Sequence, residues 1–193
     1  MFVFPKYSGK SQSANTVYLV AESDKIQING LAAEKVNHLK SLFKEGNFAL
    51  FNEFGRINIF CKFEDLKKDS NKEKLRDLGH KVYEATKGLC DNFHITGGST
   101  QAQELFIEGF ALSSYEFSKY FTKPKKQKLS AATFDNKAVN ITRIQHIADV
   151  TLWARDLINE PVSYLNAEQL ANEIVKKCKG TSVKSEVLGQ AKI

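Results

Sequence analysis

Histidines come first among residues that could do chemistry, because imidazole titrates near neutral pH and ligates metals. This chain has four, His38, His80, His94 and His146. None stands in His-Glu-x-x-His, and no two are four residues apart, so no helix presents a paired metal-binding face from them. His38, His80 and His146 fall among polar neighbours on expected helices and read as surface or satisfied side chains. His94 is the strongest of the four, ending an expected strand beside a glycine loop. That loop, Gly97-Gly98-Ser99-Thr100, separates a strand from a helix start. Backbone N–H groups and the helix dipole converge at such a place and can hold a phosphate. It lacks the Gly-Lys-Ser/Thr of a Walker loop and is not Gly-x-Gly-x-x-Gly. A tight turn with a cap is the main reading, and a phosphate cradle is the alternative. Among the acids, Glu104 and Glu108 share a helix face, as do Asp156 and Glu160. No second carboxylate pair faces either of them, so a dinuclear metal centre lacks support and both pairs read as structural. No Gly-x-Ser-x-Gly elbow occurs, and no Cys has a His at a recognisable spacing. The residues alone assign no catalytic, cofactor-binding or metal-ligating side chain.

The elements that would position these groups alternate along the chain. Thr16 to Ala21 reads as a buried strand, short, β-branched and aromatic. Asn29-Gly30 marks a turn. Leu31 to Glu45 carries Ala32, Val36, Leu39 and Phe43 on one helical face, closed by Gly46-Asn47. Phe48 to Phe51 and Arg56 to Cys61 read as strands joined through Gly55. A second helix follows a polar stretch, with Leu75, Leu78, Val82, Thr86 and Leu89 on one face and an end near Gly88. Asn92 to Ile95 is a short strand. Thr100 and Gln103 have capping-box spacing, and the helix they open carries Ala102, Leu105, Phe106, Gly109, Leu112 and Ser113 toward Tyr120. Leu129 to Phe134 is another strand, and Asn136 to Ile158 the longest helix, with Trp153 beside its apolar stripe. Asn166 caps a fifth helix to Cys178, and Thr181 to Leu188 alternates like a strand. The crossovers are long enough for parallel strands, so the expected fold is α/β, a mixed sheet flanked by helices.

Composition narrows the class. With 193 residues, 42% hydrophobic and 26% charged, the chain is an ordinary globular one, long enough for one sizeable domain or one domain and part of another. No run approaches a membrane span. Pro5 and Lys6 interrupt the N-terminus before a signal-peptide core could form, so export is not expected. Cys61, Cys90 and Cys178 are odd in number and far apart, as reduced thiols would be. The net charge of +6 is spread out except at Lys123-Pro124-Lys125-Lys126-Gln127-Lys128. That run reads as a solvated loop rather than a nucleic-acid patch.

Three segments in series resemble the leucine aminopeptidases (cytosol aminopeptidases). The first is Glu108-Gly109-Phe110-Ala111-Leu112-Ser113-Ser114-Tyr115-Glu116-Phe117-Ser118-Lys119-Tyr120, similar to a family helix that precedes a lysine-rich loop. The second is Ala154-Arg155-Asp156-Leu157-Ile158-Asn159-Glu160-Pro161, and the third Tyr164-Leu165-Asn166-Ala167-Glu168-Gln169-Leu170-Ala171. The resemblance runs from about Ser99 to Leu188. It implies a macro-domain-like N-terminal α/β domain over residues 1–136, a linker helix over 137–160, and the start of a catalytic domain over 161–193. It further implies a cytoplasmic homo-hexamer acting on peptide substrates. The implied cofactors are two divalent metals (zinc, manganese or magnesium), held by a lysine, aspartates and a glutamate. None of those ligands can be carried onto this chain, which contains neither Asn-Thr-Asp nor Gly-Lys-Gly. The expectation is a non-catalytic, inactive segment of a metalloaminopeptidase. A stand-alone macro-like module binding ADP-ribose or another phosphate ligand is the alternative.

Overall fold

The computed structural model describes residues 6–7, 15–23, 32–90, 92–123 and 131–189. Two strands open the chain, β1 (Lys6–Tyr7) and β2 (Thr16–Ala21), followed by α1 (Ala33–Glu45). A hairpin comes next, β3 (Phe48–Glu53) and β4 (Arg56–Phe63). Then come α2 (Asp69–Thr86), β5 (Asn92–Gly97), α3 (Thr100–Ser113) and β6 (Ala131–Phe134). The last elements are α4 (Ile141–Asn159) and α5 (Ala167–Cys178). The sheet order is β1-β6-β5-β2-β4-β3. Only β3 runs antiparallel to its neighbour, so the sheet is mixed, as expected.

Residues of alternating orientation split the sheet into two faces. Val17, Leu19, Ile57, Ile59, Cys61 and Phe63 enter the larger core with residues of α2 and α3. The intervening Tyr18 and Phe60 stack at 4.8 Å between ring centroids and join a smaller core with Leu39 and Phe43 of α1. The result is a helix layer on each side of the sheet. The β3–β4 turn takes positive φ at Phe54 and Gly55, which matches the twist of a two-residue hairpin.

Several boundaries differ from the sequence reading. The cap of α3 is Ser99, whose Oγ accepts from the Ala102 N–H at 3.2 Å, not Thr100. That helix stops at Ser113, well before Tyr120. The Ser113 and Ser114 hydroxyls donate to the Gly109 and Ala111 carbonyls, each at 2.7 Å, and compete with continued backbone pairing. Asn136 does not begin α4. Its Oδ1 accepts from the Ala138 N–H, and the helix starts at Ile141 after Asn140 accepts from the Arg143 N–H, each at 3.0 Å. Asn166 caps α5 as expected, accepting from the Gln169 N–H at 3.0 Å. Thr181 to Leu188 forms no strand. Alternation alone does not make a strand without a neighbour to pair with, and Val183, Val187 and Leu188 are exposed. The Asn29-Gly30 turn and residues 124–130, most of the lysine run, lie outside the described residues.

Chain contacts divide the protein into two compact units, 1–149 and 150–193. In the first, Ile144 and Ala148 of α4 are buried in the larger core. In the second, Lys177 lies 5.4 Å over the Trp153 ring, and α5 buries none of its residues.

Candidate functional site

The loop after β5 is held by close backbone approach. Gly97 and Gly98 both have positive φ, 80° and 66°. A Cβ on Gly97 would fall 2.6 Å from the Leu19 carbonyl oxygen of β2. The glycines therefore let β5 end tightly against β2, which accounts for them without a ligand.

The polar groups around that loop bond one another. Gln103 Nε2 donates to the Gly97 carbonyl at 2.9 Å and to Asp135 Oδ1 at 3.0 Å. Thr96 donates its hydroxyl to the other Asp135 oxygen. Asn136 Nδ2 donates to Thr100 Oγ1 at 2.9 Å. An incoming phosphate would meet the Asp135 carboxylate beside the first turn of α3, so the loop geometry does not favour the phosphate alternative. Asp135 and Gln103 had no motif to mark them; they meet only because β6 lies next to β5. Gln103 Oε1 is buried and accepts no hydrogen bond among the described residues.

His94 lies within β5 rather than at its end, is 5% exposed, and places Nδ1 2.8 Å from Thr133 Oγ1. Burial lowers its pKa below the ordinary histidine value, while Asp135 pulls weakly the other way. A histidine that charges less readily folded than unfolded costs stability on acidification. The unfolded chain binds the proton first, so stability is retained above about pH 6.5 and lost as pH falls below it. The melting temperature is expected to drop between pH 7 and pH 5, with a shallower slope in His94→Gln. Equal slopes in thermal melts of the two proteins would remove His94 as the cause. The remaining histidines are exposed: His80 Nδ1 lies 3.0 Å from Ser113 Oγ, and His38 packs edge-on to Phe51.

The carboxylates on α3 are committed in different directions. Glu108 accepts from Arg76 of α2, at 3.0 Å from Nε and 3.4 Å from Nη2. Glu104 Oε1 accepts from the Asn140 N–H at 2.8 Å, ahead of α4. The shared helix face thus ties α3 to two neighbours and leaves no pair for a metal. Among the described residues no group of three His, Cys, Asp or Glu could hold a metal ion, so the side chains here do not fit a dinuclear centre. Glu108→Ala leaves Arg76 without its fork partner at a half-buried position. A loss of about 1–3 kcal/mol in urea unfolding is expected, smaller in Arg76→Met/Glu108→Leu than the sum of the single changes.

Asp156 and Glu160 lie where α4 ends. Asn159 Nδ2 donates back to the Arg155 carbonyl at 2.9 Å, and Pro161 O accepts from the Tyr164 N–H at 2.8 Å. These bonds form a helix end and a turn. All three cysteines are free, and burial pushes the Cys61 thiol far up, which makes it unreactive. None of the described helices is long and apolar enough to cross a membrane.

The sequence pointed to no cavity, yet one of about 350 Å³ opens at the carboxyl ends of β2 and β4. Phe43, Phe63, Leu75 and Leu78 are among its lining residues, with Glu22, Lys62, Glu64 and Lys74. No local pattern marks it, because its wall comes from α1, β4, α2 and the residues that connect the strands and helices.

No protein-family profile matches the chain. Its sequence is similar to probable cytosol aminopeptidases. That of Sulfurihydrogenibium sp. is 27% identical over 181 residues, covering 82% of this chain and 35% of the relative. That of Alkaliphilus metalliredigens is 29% identical, covering 75% and 33%, and that of Persephonella marina 29%, covering 51% and 23%. The chain spans about a third, or less, of the length of these relatives. Among solved structures, a mutant tomato leucine aminopeptidase superposes with a TM-score of 0.59 at 18% identity, over 91% of this chain and 42% of that one. The bottromycin maturation enzyme BotP gives 0.60 at 13% identity, over 86% and 37%. The relatives in sequence are cytosol aminopeptidases, and the fold is that of part of leucine aminopeptidase.

Proposed function

We propose that this chain is the N-terminal, non-catalytic part of a metal-dependent leucyl aminopeptidase, a cytoplasmic enzyme that removes N-terminal residues from peptides. One observation carries the reading: similarity covers 82% of this chain but 35% of its relative. Glu108 and Glu104 are meanwhile engaged in packing α3 against α2 and against the segment ahead of α4. Residues 1–136 form the macro-like domain, 137–160 the linker that contains α4, and 161–193 the opening of the catalytic domain. The two divalent metals, zinc, manganese or magnesium, belong to the remainder of the enzyme, as does most of the homo-hexamer contact. The domain's role is in assembly and in shaping access to the catalytic domain.

Helix α5 supports the assignment of the last segment. Leu170, Ile174 and Val175 are exposed, and its apolar residues recur at helical spacing, as on a helix made to be covered. In the complete enzyme the rest of the catalytic domain covers it.

The test is an assay with leucine p-nitroanilide and added manganese, on the 193-residue chain and on the product of the parent reading frame. The chain is expected to give no turnover above buffer, and the parent product to give metal-dependent release. Metal-dependent turnover by the chain, or a parent frame without a metal-ligand motif after residue 193, would overturn the proposal.

A further inference from the structure

We infer that the cavity at the carboxyl ends of β2 and β4 binds a free, zwitterionic α-amino acid with an aliphatic side chain. Parallel α/β sheets bind ligands outside the carboxyl ends of their strands, where the loops diverge. A volume of about 350 Å³ is within the range of small-molecule sites, ~300–1,000 Å³. Its apolar wall is Phe43, Phe63, Leu75 and Leu78, all at most 9% exposed. Such a surface gains by covering a hydrocarbon side chain.

The charged lining decides the class. Three lysines and three glutamates line the cavity, Lys44, Lys62, Lys74, Glu22, Glu45 and Glu64, so it favours neither an anion nor a cation as a whole. Lys74 and Glu64 are closed on each other at 2.6 Å. Lys62 and Glu22 stand 3.6 Å apart, within Coulombic reach but beyond a good hydrogen bond. Lys62 is fixed from behind, where Nζ donates to the Phe43 carbonyl at 3.1 Å. Glu22 is held by its backbone, whose N–H donates to the Phe63 carbonyl at 2.8 Å. An ammonium on Glu22 and a carboxylate on Lys62 replace one loose ion pair by two close ones, with no net charge brought in. A phosphate would gain Lys62 but face Glu22 and Glu64. A free amino acid is also the product class of the parent reaction proposed above. The binding argument stands on the cavity alone and would make the non-catalytic domain a reader of released product.

Calorimetry on the 193-residue chain tests this with L-leucine, N-acetyl-leucine, leucinamide and inorganic phosphate. Leucine is expected to bind saturably. Blocking either end should weaken it at least tenfold, as should Glu22→Gln or Lys62→Met. Glu22→Gln should not further weaken N-acetyl-leucine, which has no ammonium to lose. Because Lys62 also holds the end of α1, urea midpoints of both variants accompany the titrations, and Glu22→Gln alone suffices if Lys62→Met unfolds. Absence of leucine binding, equal binding of the blocked derivatives, or tighter binding of phosphate would overturn the inference. These results leave the peptidase assay untouched, so the two readings fail separately.

Discussion

Gly109→Ala is expected to cost the first unit about 3 kcal/mol or more, although alanine is the better helix former by roughly 1 kcal/mol. The two effects have opposite signs, and geometry decides between them. A Cβ on Gly109 would fall 2.0 Å from the Arg76 carbonyl oxygen and 2.6 Å from its carbon. Both are backbone atoms of α2, so no rotamer change relieves the contact. The approach is reciprocal: a Cβ on Gly79 would lie 2.3 Å from the Phe106 carbonyl oxygen. Inserting a methyl forces α2 and α3 apart, and with them Leu75, Leu78, Val82, Phe106 and Phe110 of the larger core. Restricting the unfolded chain returns only about 0.4–1 kcal/mol. Against a typical domain stability of roughly 5–15 kcal/mol, the variant should melt many degrees lower or fail to fold. Gly46→Ala is the control, since nothing lies within 4 Å of its Cβ position. Its urea midpoint should stay close to the parent's. A Gly109→Ala protein as stable as Gly46→Ala would refute the close crossing.

The second large effect is expected at Phe110, one residue along the same helix. Its ring is 1% exposed and meets Tyr83 at 5.2 Å and Phe93 at 4.8 Å, both edge-on, and Phe106 at 6.3 Å. It thus joins α2, β5 and α3 through one side chain. Edge-on aromatic pairs add to area burial, about 0.5–1.5 kcal/mol each. Phe110→Ala leaves a cavity that three rings cannot collapse into, and a loss of about 3–5 kcal/mol is expected. Phe110→Leu, which keeps most of the volume, should lose clearly less. Denaturant unfolding of the three proteins checks the order, and equal losses for alanine and leucine would show that volume is not the cause.

Both residues belong to the segment that carries the family resemblance, and the structure supplies a physical reason for three of its positions. Glu108 pairs with Arg76, Gly109 admits the α2 backbone, and Phe110 fills the space beside it. The sequence reading placed Gly109 on the inward face of a helix but could not say what it faced. It also expected one apolar stripe on α3, whereas residues 105–111 are buried all round, Glu108 included. A helix covered by α2, the sheet and the start of α4 has no solvent face, and no periodicity reports how many neighbours a helix will have.

Local chemistry determined most of the elements here. A β-branched, aromatic run marked β2, helical spacing picked out Leu39 and Phe43 of α1 and Leu75, Leu78, Val82 and Thr86 of α2 but wrongly added Leu89, which is exposed beyond the helix end, and Asn166 marked the start of α5, because each depends on residues within one turn or one strand. That neither Asn-Thr-Asp nor Gly-Lys-Gly occurs is likewise read directly from the residues. Tertiary structure alone decided the strand order, the Asp135–Gln103–Thr96 network, the Gly79–Gly109 crossing and the cavity beside Lys62 and Glu22. Each of these joins groups far apart along the chain, and their meeting depends on which strands pair and which helices share a layer, a choice made by the packing of the whole domain.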